Sequence, residues 1–463
     1  NQTMLFTLEE TPSAKNDKSS IASIRESEIK FAAQASANSD KFFLPLFDGQ
    51  IYEASRISTE NRRLDNFTWR GKIERKDFSG DVILTFNKGY IAGLIYAPNA
   101  VYEIIPRGER QILVELNQNI FPECGGEING EEAAKQIPDS NLASVDSGDR
   151  IDVLVVYTTA TKNFLGGDAQ AQTLAQQAVD ATNTAYLNSK IRQRIRMVHA
   201  QEHFYTETTS GSTDLSNLRN NTEIQNLRNT HKADLVAMIG EIQGSCGVGY
   251  LMGADSPASQ NNGFTVTARS CAVGNLTFAH ELGHNMGSAH NPENGSSSTY
   301  PYGFGHWING NYRTVMSYVD PCTSGCTRRP YFSNPMVVFN NAPTGIDNAR
   351  DNARSINNTA DSIANYRYSG ANIQMNNFNS GDGLPRGIAR QLSWSSENIT
   401  GNVRIEISRD ESTTWETLIG NTPNDGTENI TVYGRATRRA RIRIVSIDNS
   451  IYSDSSVRNI TVR

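Results

Sequence analysis

The run TFAHELGHNMGSAHN, residues 277–291, carries three histidines and a glutamate at the spacing of a metal site. On a helix, His280 and His284 stand four residues apart, so both imidazoles project from one face and can bind the same cation. Gly287 falls where this helix should end, because glycine tolerates the left-handed backbone that turns a chain, and His290 can then return to the same metal. Three protein ligands that leave a fourth position for water are typical of a catalytic zinc.

Glu281 is the residue that would make such a metal site hydrolytic. It follows His280 by one position, about 100° around the helix, so its carboxylate lies beside the metal rather than on it. Zinc lowers the pKa of a bound water to roughly 7, and a neighbouring carboxylate can accept that proton. The pattern therefore predicts a zinc-dependent hydrolase with Glu281 as general base. The alternatives are a helix whose histidines only pack or titrate, and a zinc site that has lost its activity.

The extended motif HExxHxxGxxH resembles that of the metzincin zinc metallopeptidases, which carry a methionine turn downstream. In this chain RTVMSY puts Met316 26 residues after His290. The resemblance implies that Met316 packs as an apolar floor beneath the imidazoles without binding zinc. It also implies that Tyr318 matches the tyrosine of astacin-like and serralysin-like relatives, which can bind zinc at rest and then support the oxyanion. The alternative for Tyr318 is a ring that packs under the site. Asn291 departs from the reprolysin-like branch, which usually has Asp there.

Over nearly half of its length the chain is most similar to the bacterial peptidyl-Asp metalloendopeptidases. The segments HELGHNMGSAH, YPYGFGHW, RTVMSY, PYFSNP and DNAR…IANYR occur in that family's order. Membership implies an endopeptidase that cleaves on the amino side of acidic residues. Arg328 and Arg329 follow the methionine turn, in the stretch that shapes the pocket for the residue after the scissile bond, where a guanidinium can bind a carboxylate. The alternatives are two solvated arginines and a broad-specificity metalloprotease.

Four of the five cysteines surround the zinc motif and can form two disulfides. They are Cys246, Cys271, Cys322 and Cys326. Three pairings are open in principle, and we favour Cys246 with Cys271 and Cys322 with Cys326 across a tight loop. Disulfides imply an oxidising, extracellular setting, so we expect a secreted protein. The alternative is four buried free thiols in a cytoplasmic protein.

Cys124, in PECGGE, is the cysteine left over. A thiolate is a good fourth zinc ligand, so an unpaired cysteine upstream can displace the catalytic water and keep an enzyme latent. This arrangement resembles the cysteine switch of matrixin and reprolysin propeptides. We therefore predict a zymogen in which Cys124 binds the metal in the latent form only. The alternatives are a thiol without function and an intermolecular disulfide.

The fold class predicted around these residues is α+β, in three units. Residues 1–148 contain alternating apolar and polar strands typical of antiparallel sheet and resemble a metzincin propeptide. The polar segment 129–150 has the composition of a cleavable linker. Residues 149–369 combine buried strands with helical segments, which predicts a mixed sheet backed by helices. The resemblance implies that this unit is a metzincin catalytic domain.

Two further predictions concern an edge strand near the metal motif and the C-terminal unit. GVGYLMG, after Cys246, is expected as an edge strand on which an extended substrate can add itself by main-chain hydrogen bonds. Residues 370–463 contain short alternating strands that predict a fibronectin-type or immunoglobulin-like β-sandwich, with Trp394 and Trp415 expected in its core.

Composition limits the partners of the whole chain. Its 463 residues carry a net charge of −6, so no basic field favours nucleic acid. No apolar run approaches the roughly 18 to 20 residues that span a bilayer. The sequence opens without a leader, so we expect that any signal peptide has already been removed.

The expected partners are protein or peptide substrates and the chain's own propeptide as inhibitor. The expected cofactor is one zinc ion. Calcium is a further candidate at loops such as NPENG, which lack a calcium-loop signature. The non-enzymatic alternative is a surface adhesin with a structural zinc.

Overall fold

The structure is a computed structural model. It describes residues 4–9, 18–32, 35–47, 49–63, 65–129, 146–295, 297–379, 383–412, 414–448, 450 and 452–463. Most of the linker predicted over 129–150 therefore lies outside the described residues.

The N-terminal part of the chain is one antiparallel sheet of nine strands. In space they follow the order β1-β2-β9-β8-β7-β6-β5-β4-β3. A backbone hydrogen bond of 2.9 Å from Leu5 N–H to the carbonyl of Phe43 links the two ends of the sheet, so that it closes on itself. The strands are β1 Phe6–Leu8, β2 Ser23–Phe31, β3 Lys41–Pro45, β4 Ile51–Arg63, β5 Asn66–Arg75, β6 Phe78–Asn87, β7 Tyr90–Tyr96, β8 Val101–Arg107 and β9 Arg110–Leu116.

Alternation along these strands divides their side chains between two cores. One set, which includes Trp69, Leu84 and Ile104, forms a core within the N-terminal sheet. The opposite set, which includes Ile83, Leu94 and Tyr96, belongs to a core shared with the middle of the chain. The N-terminal sheet is thus packed against the rest of the molecule by buried apolar surface, which is the dominant stabilising term in such contacts.

The middle of the chain contains a six-stranded mixed sheet in the order β10-β14-β15-β13-β11-β12. All neighbours are parallel except β14 and β15. The strands are β10 Glu127–Asn129, β11 Arg150–Thr158, β12 Arg194–His203, β13 Leu235–Gly240, β14 Gly247–Leu251 and β15 Phe264–Ala268. The helices are α1 Thr159–Leu165, α2 Asp168–Asn188, α3 Gly211–Asn220, α4 Thr222–Thr230, a 3-10 helix Pro257–Asn262, α5 Arg269–Ala272, α6 Thr277–Asn285 and α7 Asn352–Ala364.

Strand β14 would end this sheet if β10 did not pair with it. The edge strand predicted for GVGYLMG therefore exists, and a segment from upstream in the same chain covers it. Among the described residues between α6 and α7, the chain forms five short strands of two residues each. They are β16 Trp307–Ile308, β17 Tyr312–Arg313, β18 Thr327–Arg328, β19 Val338–Phe339 and β20 Ala342–Pro343.

One helix prediction was wrong. The sequence NLRNNTEIQNLRNTH, residues 217–231, predicts one helix between two strands of the sheet, but α3 ends at Asn220 and α4 begins at Thr222. Asn221 lies between them in an extended conformation, and its side-chain oxygen accepts a hydrogen bond from the Ile224 N–H. Asparagine competes for backbone hydrogen bonds in this way at helix starts, which interrupts the helical run.

The C-terminal part of the chain consists of two sheets around one apolar core. Their strands are β21 Asn372–Met375, β22 Gly383–Leu384, β23 Arg390–Glu397, β24 Val403–Ser408, β25 Glu416–Thr422, β26 Thr427–Ile430, β27 Thr437–Ser446, β28 Ser453–Ser455 and β29 Ile460–Val462. Trp394 lies in the core as expected. Trp415 does not, because it is half-buried with the Arg443 guanidinium 4.1 Å above its ring. The module type and the three domain boundaries stay predictions.

Candidate metal and active site

Helix α6 carries the metal motif through the interior of the molecule. It contacts strands β14 and β15, and every one of its residues is buried. The helix ends at Asn285, and Gly287 adopts a φ of 77°, the left-handed turn that its position in the sequence predicts. This turn brings His290 back to the helix, so that all three histidines are buried together.

The three imidazoles converge through their Nε2 atoms. The Nε2 of His290 lies 3.1 Å from that of His280 and 3.1 Å from that of His284. Each Nδ1 faces an acceptor: the Val315 carbonyl at 2.9 Å for His280 and the Ser288 carbonyl at 2.9 Å for His284. A ring that donates from Nδ1 keeps its Nε2 lone pair free, so these contacts orient nitrogen lone pairs toward one point.

The cluster suits a zinc ion in donor type and in dimensions. Cys124, His280, His284 and His290 offer four ligand atoms within 4.8 Å of one another, the only such metal-type group among the described residues. Ligands of a tetrahedral zinc lie about 3.3 Å apart for two nitrogens and about 3.6 Å apart for nitrogen and sulfur, given the usual bond lengths. Burial lowers the pKa of His284 to about 4 and those of His280 and His290 well below 6.5. The imidazoles are therefore neutral, the form that binds metal.

Cys124 lies at the open side of the histidine cluster. Its Sγ is 3.8 Å from the Nε2 of His284 and 3.7 Å from a carboxylate oxygen of Glu281. Burial, followed by the charge of Glu281, raises the pKa of the thiol. A metal cation between the sulfur and the imidazoles would favour the thiolate instead. The structure thus brings the leftover cysteine to the position that a fourth ligand would take.

Backbone hydrogen bonds hold the segment around Cys124 along strand β14. The Gly125 N–H donates to the Gly247 carbonyl at 2.8 Å, and the Cys246 N–H donates to the Glu123 carbonyl at 3.0 Å. Farther along, β10 continues this pairing parallel to β14. Residues 123–129 therefore occupy the strand edge that an extended substrate would need.

Glu281 points into the same space. It is fully buried, and its Oε1 has no hydrogen-bond partner among the described residues. A Cβ atom at Gly247 would lie 2.6 Å from that oxygen, so the carboxylate needs a glycine at this point of β14. Burial raises the pKa of Glu281 to about 8, while the Cys124 thiol and the Arg328 guanidinium lower it. A buried carboxylate beside the three imidazoles, with one oxygen free of hydrogen bonds among the described residues, suits the role of general base.

Tyr318 completes the wall of the site. Its ring centroid lies 4.2 Å from that of His290, and its hydroxyl donates to the backbone carbonyl of Cys124 at 3.0 Å. Asn291, the departure from the reprolysin-like pattern, accepts the Tyr318 N–H through its side-chain oxygen at 3.0 Å. The tyrosine hydroxyl therefore donates to a peptide carbonyl next to the metal cluster.

Met316 packs under the metal helix. It is fully buried, and a Cβ atom at Gly283 would lie only 2.5 Å from its sulfur. The glycine between Glu281 and His284 in the motif thus permits the close approach of the methionine. The apolar floor beneath the imidazoles, which the resemblance implied, stays a prediction.

The cysteines pair as predicted. Cys246 is bonded to Cys271 and Cys322 to Cys326, with Cα–Cα distances of 5.5 and 5.8 Å. The first disulfide holds β14 beside the start of the segment that leads into α6.

The two arginines after the methionine turn diverge. Arg328 is 2% exposed, and its guanidinium faces the Cys124 segment, 3.6 Å from the Glu123 carboxylate. The guanidinium of Arg329 lies instead over the rings of Tyr96, Phe78 and Phe339. Arg329 is therefore not at the pocket for which the sequence suggested it, because neighbouring residues on an extended chain point to opposite sides.

Four residues of the site received no role from the sequence, and of these only Asn291 was noted, as a departure from the reprolysin-like pattern. Glu127 lies 3.3 Å from the Nδ1 of His290 and so orients the third imidazole. Glu123, Arg313 and Asn291 also face the cluster or support it. The position of Asn291 directly after the third histidine is a signal that could have identified it. The other three come into the site only through strand pairing.

Three buried imidazoles beside a buried carboxylate indicate a zinc-dependent hydrolase, and comparison with known proteins identifies its class as metallopeptidase. The family model Reprolysin_5, metallo-peptidase family M12, matches residues 147–333. A peptidyl-Asp metalloendopeptidase of Stenotrophomonas maltophilia strain R551-3 is 30% identical over 380 residues, covering 75% of this chain and 87% of that protein. One of Xanthomonas campestris is 27% identical over 385 residues, covering 77% and 89%.

The chain belongs to the peptidyl-Asp metalloendopeptidase family within the M12 metallopeptidases, and it is a zinc metalloendopeptidase. Among solved structures, a chain from a chaperone–substrate complex matches at 20% identity with a TM-score of 0.39, covering 62% of this chain and 39% of that one. None of the described helices is long and apolar enough to cross a membrane.

Proposed function

We propose that this protein is the latent precursor of a secreted metzincin endopeptidase that cleaves on the amino side of acidic residues. The observation that carries the proposal is the convergence of three imidazoles, the Glu281 carboxylate and the Cys124 thiol beside strand β14. The names of the relatives support the acidic preference, and Arg328 beside the site supports it independently.

The proposed chemistry uses the residues as follows. A zinc ion held by His280, His284 and His290 would supply Lewis-acid polarisation of water and of the scissile carbonyl. Glu281 accepts a proton from the water while the water oxygen bonds to the carbonyl carbon. Glu281 then gives that proton to the leaving amine as the C–N bond breaks. The Tyr318 hydroxyl donates to the carbonyl oxygen, which gains negative charge in this step.

The latent state follows from residues 123–129. These residues hydrogen-bond along β14, so a substrate cannot add to that edge while they are there. Cys124 meanwhile takes the position that the attacking water needs. Cleavage in the segment 129–150, followed by release of the N-terminal part, would free the edge of β14 and the position of the attacking water. We assign residues 1–148 as propeptide, 149–369 as catalytic domain and 370–463 as a β-sandwich module.

Secretion is supported by the two disulfides, which persist in oxidising compartments. Calcium has no comparable support. Asn291, Glu293 and Asn294 of the NPENG loop hydrogen-bond to one another, and Arg350 pairs with Glu293. Their oxygen atoms are therefore used within the protein.

The test is cleavage of a peptide library by the zinc-loaded full chain after limited proteolysis, with and without a chelator. We expect chelator-sensitive cleavage, with Asp or Glu enriched directly after the cut, and no cleavage by a Glu281→Gln control. Chelator-sensitive cleavage without enrichment of Asp or Glu after the cut would show a broad-specificity peptidase instead. Absence of any chelator-sensitive cleavage would end the peptidase assignment.

A further inference from the structure

Glu123, the residue before Cys124, points its carboxylate into a pocket built from two buried arginines. Its Oε2 lies 3.6 Å from Nη2 of Arg328 and 3.9 Å from Nη1 of Arg313, and its Oε1 accepts the Val319 N–H at 2.7 Å. The side chains of Arg313 and Arg328 are 1% and 2% exposed. One carboxylate thus meets two guanidiniums and a backbone donor.

Strand pairing creates this pocket. Strands β17 and β18 run parallel, and Arg313 is the register partner of Arg328. Both guanidiniums donate to the Ser317 carbonyl, at 2.8 and 3.0 Å, and Arg328 also donates to the Asn275 carbonyl at 2.9 Å. These neutral acceptors orient the two cations side by side without offsetting their charge.

Two buried guanidiniums that donate to the same carbonyl destabilise each other by charge repulsion unless an anion lies near both. Among the described residues, Glu123 is the carboxylate that lies within ion-pair distance of both guanidiniums. Burial, and then repulsion from Arg328, lower the pKa of Arg313 to about 9, so Arg313 stays charged at neutral pH. Burial also lowers the pKa of Arg328, while the charge of Glu123 raises it. Release of the segment that carries Glu123 would therefore leave a buried pocket with strong attraction for another carboxylate.

The pocket adjoins the reaction centre. Cys124 lies against the metal cluster, and the residue directly before it fills the pocket. The residue at the metal position and the residue that carries the carboxylate are therefore neighbours in the chain. A substrate residue next to the scissile bond is within the same reach.

We propose that Arg313 and Arg328 together form the receptor for the acidic side chain of the substrate, and that Glu123 occupies this receptor in the intact chain as a substrate-like anchor. The inference rests on the proposed peptidase function and specifies which residues select its substrate. Val319 contributes its backbone N–H to the same carboxylate.

The first experiment compares two peptides that differ only in Asp or Asn after the scissile bond. Enzyme processed from the zinc-loaded full chain should lose at least about tenfold of its Asp-over-Asn ratio in kcat/KM when Arg328→Gln or Arg313→Gln removes a charge-assisted contact. For the Asp peptide, the substitution should change KM more than kcat. Arg328→Lys should restore part of the ratio, and Arg329→Gln, whose guanidinium lies on aromatic rings, should keep it.

The second experiment tests the Glu123 carboxylate, first in a synthetic peptide and then in the intact chain. A synthetic peptide of residues 118–129 should bind the zinc-loaded processed enzyme at least about tenfold more tightly than the same peptide with Glu123→Gln. In the intact chain, Glu123→Gln should also speed alkylation of the Cys124 thiol, since the anchor beside it is weakened.

The outcomes separate this inference from the function on which it rests. Equal binding of the two peptides, or an unchanged Asp-over-Asn ratio in folded Arg328→Gln and Arg313→Gln enzymes that still cleave, would overturn the receptor alone. Wild-type enzyme that contains zinc but cleaves neither peptide would instead overturn the proposed function.

Discussion

The Sγ of Cys124 and the Nε2 of His284 lie 3.8 Å apart although 160 positions separate them in the sequence. That separation suits two ligands of one tetrahedral zinc, for which sulfur and nitrogen lie about 3.6 Å apart. The contact connects the segment along β14 to the metal helix, so in the latent form that we propose inhibition and catalysis would use the same point of the molecule.

Replacing this sulfur should release latency. We expect Cys124→Ala in the intact chain to cleave a reporter peptide at least about tenfold faster than wild type, because nothing then competes with water for the fourth position. The measurement is the initial rate before any processing is visible on a gel. Equal initial rates would contradict the prediction.

A cobalt-substituted protein supplies the control for that experiment. The intact wild-type chain should show a thiolate-to-metal absorption band that Cys124→Ala lacks, while both proteins bind one equivalent of cobalt. A band that survives the substitution would mean that another group is the fourth ligand.

Glu281 should be required for the reaction and not for the metal. Glu281→Gln keeps the size of the side chain but cannot accept the proton, so kcat should fall by about 10²- to 10⁴-fold. Zinc content, measured by elemental analysis of the same sample, should stay at the wild-type value. A variant that turns over at the wild-type rate would exclude the general-base role.

Tyr318 should act on the rate of the chemical step. Its hydroxyl donates to a peptide carbonyl beside the metal cluster in the intact chain, and in the processed enzyme the scissile carbonyl would take that place. Tyr318→Phe should lower kcat by about a hundredfold, the effect of losing one oxyanion donor, with a smaller change in KM. Steady-state kinetics on one peptide measures both, and an unchanged kcat would leave Tyr318 as a packing residue.

Gly283 should be intolerant of a methyl group. An alanine Cβ would lie 2.5 Å from the Met316 sulfur and 3.1 Å from the Phe332 ring. Overpacking of this kind costs about 1–3 kcal/mol, so Gly283→Ala should lower the Tm by several degrees and weaken zinc binding. Gly253→Ala is the matched control, since nothing lies within 4 Å of its added Cβ. Equal Tm values for the two variants would contradict the packing account.

The metal helix could be predicted from sequence because its ligands lie within one short run. The spacing of His280 and His284 follows from helical geometry, and Gly287 indicates the turn that returns His290. Cys124 could be assigned by its lack of a disulfide partner. The spacing within one short segment predicted the three histidines, and the odd number of cysteines singled out Cys124.

The substrate pocket could not be predicted in the same way. Arg328 was suggested by its position after the methionine turn, but Arg313 comes beside it only through the parallel pairing of β17 and β18. Glu123 reaches both because the segment 123–129 pairs with β14. Register between distant short strands depends on tertiary packing, which a single sequence does not display.

Glu103 should make docking of the N-terminal sheet depend on pH. This residue of β8 is 1% exposed against the Gly274 backbone, and Arg269 and Glu26 are the charged groups near it. Burial raises its pKa from 4.5 to about 8 in the intact chain. The docked state therefore holds a proton that the exposed carboxyl gives up, so stability falls as pH rises from 4.5 to about 8.

Thermal unfolding of the intact chain across that range measures the effect. The Tm of wild type should decline relative to that of Glu103→Gln, whose neutral amide preserves the shape of the side chain without titrating. Below the ordinary pKa of glutamate the two proteins should respond to pH in parallel, since the wild-type carboxyl is then protonated in both states. Parallel curves up to pH 9 would show that Glu103 does not control the docking.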